Sequence, residues 1–157
     1  MPGPTSSEGQ VLAYDDAGDR DPRGQTTPKR LLVIDDQIQI CIVIARVAAT
    51  LGLDTRTIQD PLKATEAYID FAPDVVMLDM VMPEKDGVDV LHEMLLVGLP
   101  TKFILMSGYG VSYMHMARAA AAFHGVEQPA ILSKPFRQVV LADLLRTTMS
   151  MDPGPST

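Results

Sequence analysis

The chain is 157 residues long, with 20 acidic residues against 13 Lys and Arg and a formal net charge of −7 at pH 7. That length suits one domain, and 46% apolar residues suits a packed core; the acidic balance argues against a general nucleic-acid binder and against docking on an anionic membrane. The single cysteine, Cys41, excludes an internal disulfide framework and a multi-cysteine zinc site, and points to a reducing, cytoplasmic compartment. No basic-then-apolar leader opens the chain, and no apolar run approaches the ~20 residues that cross a bilayer.

Residues 1–28 read as a flexible tail. Pro2, Pro4, Pro22 and Pro28 alternate with Gly, Ser and Thr, and five acidic residues face two arginines. Only Val11, Leu12 and Tyr14 offer apolar surface, too little to offset the entropy of ordering; a docking role for that trio is the sharper alternative. Residues 29–150 alternate between strand and helix patterns. Leu31–Ile34 is a short apolar run typical of a strand buried on both faces. Gln37–Leu51 is too long for an ordinary strand and reads as a helix ended by Gly52. Asp54–Ile58 is a more polar strand, and Asp60-Pro61 opens a helix that runs to about Phe71. Asp74–Asp79 is the third strand, Pro83–Gly87 a turn and Val88–Val97 a helix. Strand Lys102–Met106, helix Ser112–Phe123, strand Ala130–Ser133 and helix Phe136–Met149 complete the series, and residues 151–157 form a short tail. Five β–α units with short loops predict a parallel sheet with helices on both faces, whose ligands bind beyond the carboxyl ends of the strands.

Asp35 and Asp36 close the first strand, Asp79 the third, Ser107 the fourth and Lys134 the fifth, so these groups share one edge of the sheet. Each alone is an ordinary turn or cap residue. Together, three converging carboxylates repel one another unless a cation sits among them, and Mg²⁺ suits hard oxygen ligands shared with phosphate. A lysine and a hydroxyl opposite them suit phosphoryl oxygens. The residue types fit phosphorylation of an aspartate.

From Arg30 to Met149 the chain resembles the receiver domain of two-component response regulators. The matching motifs are Leu-Val-Ile-Asp35-Asp36, Val-Val-Met-Leu-Asp79-Met-Val-Met-Pro83, Asp86-Gly87, Ile-Leu-Met-Ser107-Gly108 and Ser-Lys134-Pro135-Phe136, in the family's order. The resemblance implies a flavodoxin-like (βα)5 fold with strand order 2-1-3-4-5. It implies that Asp79 accepts a phosphoryl group from a phosphohistidine of a sensor kinase or histidine phosphotransfer protein. Asp36, Asp79 and the Val81 carbonyl are then the direct ligands of Mg²⁺ (or Mn²⁺), with Asp35 acting through water. Lys134 and Ser107 meet the phosphoryl oxygens, helped by main-chain N–H groups near Met80 and Gly108, and Pro135 fits a cis peptide after the lysine. The catalyst is positioning and charge rather than a histidine; His92, His115 and His124 fall on helices or their ends. A phosphate then shifts the face around the fourth and fifth strands, toward a downstream protein target, and a homodimer stays open.

The sequence departs from the family at several places. Ile131 stands three residues before the lysine, where an aromatic reporter is usual, leaving Tyr109 as a substitute. Val81 cannot orient an attacking water as a polar side chain can, which predicts slow loss of phosphate unless Tyr109 positions that water. In helix Gln37–Leu51 one face is Ile40, Ile44, Val47, Ala48 and Leu51. A second stripe holds Ile38, Cys41, Ile42, Ala45 and Ala49. That stripe is either covered by the last helix or exposed, with Ile38, Ile40 and Ile42 as the expected partner contacts. Met77, Met80, Met82 and Met106 read as gap-filling core, Met114 and Met116 as an adaptable surface. A chain ending soon after the last helix reads as a single-domain regulator or relay intermediate. A phosphatase of the haloacid-dehalogenase type wants an acid two residues after its nucleophile, and neither Asp79 nor Asp35 has one. A pseudo-receiver, binding partners without phosphorylation, is the alternative function.

Overall fold

The computed structural model describes residues 22–23, 27–108, 111–126 and 128–150, the side chains of 111–113 excepted. Tyr109, the Val11–Leu12–Tyr14 trio and the tail 151–157 lie outside the described residues. The elements are β1 (Arg30–Ile34), α1 (Ile38–Thr50), β2 (Asp54–Ile58), α2 (Ala64–Phe71), β3 (Val75–Asp79), α3 (Gly87–Val97), β4 (Lys102–Ser107), α4 (Val111–Phe123), β5 (Ala130–Ser133) and α5 (Gln138–Ser150). They fall where the two sequence periods place them, within one or two residues at each end, except that α2 begins at Ala64, three residues after the expected Pro61. A 3-10 turn at Pro61–Lys63 precedes α2, with the Asp60 side chain accepting from the Leu62 N–H at 3.0 Å.

The five strands form one sheet in the order β2-β1-β3-β4-β5, every pair parallel. This is the flavodoxin-like arrangement. Its central strands carry continuous apolar runs because both faces are covered. Period-two alternation then divides each run between two cores. Leu32, Ile34, Val76, Leu78, Phe103 and Leu105 pack with α2, α3 and α4. Leu31, Val33, Val75, Met77, Ile104 and Met106 pack with α1 and α5. β2 lies at the edge with every residue at least partly exposed, which accounts for its polar sequence. Met77, Met80, Met82 and Met106 are buried, as expected of fillers. Met114 is buried too, which corrects its reading as contact surface: it lies on the face of α4 that carries Ala117 and Ala121, while Met116 is exposed.

Helix α1 resolves its two stripes unevenly. Ile44, Val47 and Ala48 are buried, and Ile40 is half-buried against the same core. Of the second stripe, Cys41 is buried and Ala45 half-buried, but Ile38, Ile42 and Ala49 stay exposed. α5 packs beside α1 without covering them. Ile40 therefore differs from its two neighbours: two residues away on a helix is about 200° of rotation, so it points inward. No helix among the described residues is long and apolar enough to cross a membrane.

Candidate functional site

All five singled-out side chains arrive at the carboxyl edge of the sheet because each ends a strand or lies within two residues of a strand's end. Asp35 extends β1: its N–H donates to the Ile58 carbonyl at 3.1 Å, continuing the ladder with β2. Its side chain is fully buried and accepts from the Gln37 N–H at 2.9 Å, and its carbonyl accepts from the Cys41 thiol at 3.4 Å. Asp79, the last residue of β3, is 4% exposed and accepts from the Val81 N–H at 3.3 Å. Asp36 is half-buried above them. Carboxylate oxygens of Asp35, Asp36 and Asp79 all lie within 4.8 Å of one another.

β5 brings Lys134 opposite. Its N–H donates to the Ser107 carbonyl at 2.9 Å, and the Lys134–Pro135 peptide is cis, as the motif implied. The ammonium lies 2.6 Å from Asp35 Oδ2 and 3.4 Å from Asp79 Oδ2. Ser107, paired with Ser133 across β4 and β5, is buried beside this group, and Gly108 is exposed next to the Lys134 stem.

The electrostatics follow from this crowding. Burial and the neighbouring Asp35 push the Asp79 carboxyl up to about 6, although Lys134 and the Val81 N–H pull the other way. Burial works against the Lys134 ammonium, but its bonds to Asp35 and Asp79 outweigh that and hold its pKa above the ordinary lysine value. Burial and Asp35 push the Cys41 thiol up to about 11, which makes it a protonated packing group rather than a nucleophile. Three acids against one ammonium leave excess negative charge in a largely buried pocket. That donor set, all oxygen and partly preassembled, fits a hard divalent cation such as Mg²⁺.

Two features differ from the sequence expectation. The N–H of Met80 donates to the Met106 carbonyl at 3.0 Å, because the parallel ladder between β3 and β4 runs one residue past Asp79. The main-chain donor that faces the Asp79 carboxylate is therefore Val81, one residue further on, and the Val81 side chain is half exposed. Gly87, present in the motif without an assigned role, proves structural to the site. Its N–H donates to the Met80 carbonyl at 3.0 Å. A β-carbon on it would strike the Asp79 carbonyl and come within 2.5 Å of the Met80 Cα. No periodicity signals that close approach; only the glycine itself hints at it.

Ile131 is half-buried against the α2–α3–α4 core, a packing residue in the position of the usual aromatic. None of the three histidines belongs to the carboxylate group. His92 and His124 instead meet edge to face, with ring centroids 5.7 Å apart.

A parallel sheet of this order with acids at the ends of β1 and β3 and a lysine after β5 defines the class: a receiver of the flavodoxin-like type. The family model described as response regulator receiver domain matches residues 31–146, and the chain belongs to that family. It is 33% identical over 84 residues to the regulatory protein AtoC of Escherichia coli, covering 54% of this chain and 18% of that one. It is 32% identical over 82 residues to sporulation initiation phosphotransferase F of Bacillus subtilis, covering 52% of this chain and 66% of the relative. The chain thus spans less than two-thirds of either relative. Among solved structures, the receiver domain of NtrX from Brucella abortus superposes with a TM-score of 0.64 at 26% identity, over 78% of this chain and 99% of that one.

Proposed function

We propose that this receiver accepts a phosphoryl group on Asp79 from the phosphohistidine of a sensor kinase or phosphotransfer protein, and that the modified form binds a downstream protein. The observation that carries this reading is the convergence of three carboxylates and the Lys134 ammonium at one sheet edge. Asp79 attacks phosphorus in line; the new O–P bond forms as the bond to the imidazole nitrogen breaks, and that nitrogen leaves with the electron pair. At neutral pH the Asp79 carboxylate is the form that attacks, and the Val81 N–H orients it. Lys134 then trades part of its contact with Asp35 for a phosphoryl oxygen. Ser107 and the Gly108 N–H are the proposed further donors. Asp35, Asp36, Asp79 and the Val81 carbonyl are the proposed holders of Mg²⁺, with Mn²⁺ an alternative, and the ion supplies charge neutralisation for the transferring group. The added charge of about −1.5 to −2 at pH 7 drives the switch, to the extent that the two conformations bind it differently.

The experiment uses a small phosphodonor, phosphoramidate, with Mg²⁺, and intact-mass detection of the phosphorylated chain. One phosphoryl group on the wild type and none on Asp79→Ala supports the proposal. A wild type that stays unmodified, while still binding partners, returns the pseudo-receiver reading instead.

A further inference from the structure

The loop between β3 and α3 brings the Val81 N–H to Asp79 at 3.3 Å, and with it the residue whose carbonyl is proposed above as a metal ligand. Its own backbone supports it thinly. Lys85 N–H donates to the Pro83 carbonyl at 2.8 Å, and Gly87 N–H to the Met80 carbonyl at 3.0 Å. Between them Glu84 sits at φ 71°, a left-handed conformation that a β-carbon disfavours. On the inner side Met80 and Met82 pin the loop in the core. On the outer side the anchor is polar. The Lys85 ammonium, on a side chain 18% exposed, bonds to one carboxylate oxygen of Glu93, in the second turn of α3. The other oxygen of Glu93 accepts from the Thr65 hydroxyl at 2.5 Å, in the first turn of α2. One carboxylate thus ties the site loop to two helices at once. Those bonds also hold the Glu93 carboxyl below the usual glutamate range.

We infer that Glu93 is a positioning residue: bonded to Lys85 and Thr65, it fixes the β3–α3 loop in the placement that presents Val81 to the acidic pocket. A pair that served only the packing of α2 on α3 would change stability and leave the pocket alone. The loop anchor instead predicts a change in cation affinity, since a wandering Val81 carbonyl costs a ligand its preorganisation. This consequence rests on the phosphoacceptor reading above; the loop anchoring does not.

The test uses the full chain and reads phosphoramidate phosphorylation across a Mg²⁺ titration. In parallel it reads hydrogen exchange of the loop amides from Val81 to Gly87, with melting temperature as the control. Glu93→Ala is expected to raise the half-saturating Mg²⁺ roughly three- to fivefold, the range that one partly exposed ion pair supports. The rate at saturating Mg²⁺ falls by a smaller factor than the affinity does, because Asp79 and Lys134 stay in place and only the Val81 N–H that orients Asp79 is loosened, and loop exchange accelerates. Reversing the pair, Lys85→Glu with Glu93→Lys, recovers most of both effects. An unchanged half-saturation in Glu93→Ala overturns the inference, as does a reversed pair that recovers melting temperature but not Mg²⁺ affinity. If the wild type takes no phosphoryl group, the phosphoacceptor reading falls by itself. The anchor is then decided by exchange alone, where unchanged loop rates overturn it.

Discussion

Replacing the proposed phosphoacceptor should stabilise the metal-free protein. Asp79 is 4% exposed, and burial together with Asp35 lifts its carboxyl from the ordinary 3.8 to about 6. The native state therefore holds this proton more tightly than the unfolded chain does. By linkage, stability falls as pH rises from about 4 through about 6, and the full penalty is present above that. Each pKa unit corresponds to about 1.4 kcal/mol, so the ionised carboxylate costs at most ~3 kcal/mol at pH 7.5. The attraction of Lys134 already enters that figure. Asp79→Asn removes the charge, keeps the shape, and leaves a side-chain oxygen for the Val81 N–H. Urea unfolding in EDTA should then show the variant ~1–3 kcal/mol more stable than wild type at pH 7.5 and no more than ~0.5 kcal/mol apart at pH 4. Saturating Mg²⁺ should shrink or reverse the pH 7.5 difference, because a ligand of the native state stabilises the form that binds it better. A variant that is less stable than wild type at pH 7.5, or a gap that does not close on acidification, would refute the argument that the pocket stores electrostatic strain.

Four further outcomes follow from the same geometry. Lys134→Met leaves two buried carboxylates without their ammonium; it should cost ~3 kcal/mol in urea unfolding at pH 7.5 and abolish phosphorylation by phosphoramidate. Gly87→Ala drives a β-carbon into the Asp79–Met80 backbone and should cost ~1–3 kcal/mol in the same assay while slowing phosphorylation. Val81→Asn places a polar group beside the proposed phosphoryl site and should shorten the lifetime of the phosphorylated form, followed by intact mass; an unaltered lifetime counts against a water-orienting role for that position. Ile42→Asp, on the exposed stripe of α1, should change stability by no more than ~0.5 kcal/mol and leave the phosphoramidate reaction intact, yet slow transfer from a phosphohistidine protein.

Much of this protein is written in its local pattern. The apolar runs at Leu31–Ile34 and Val75–Leu78 are long enough only for strands, and their doubly buried character already requires helices on both faces. Asp35, Asp79 and Lys134 end or follow such runs, so their arrival at one edge follows from parallel topology before any coordinate is known. What the sequence could not decide is anything that depends on which backbone atoms two strands or a strand and a loop share. The parallel ladder runs one residue past Asp79, which consumes the Met80 N–H and hands the donor role to Val81. The close approach of Gly87 to Met80, the inward turn of Met114 and the Thr65–Glu93–Lys85 bridge are of the same kind. Periodicity reports which face of an element is apolar, because burial is a property of one residue and its spacing. Hydrogen bonds and charge pairs between residues 8 to 99 positions apart depend on packing distances of a few ångströms. Only the assembled sheet and its helices set those.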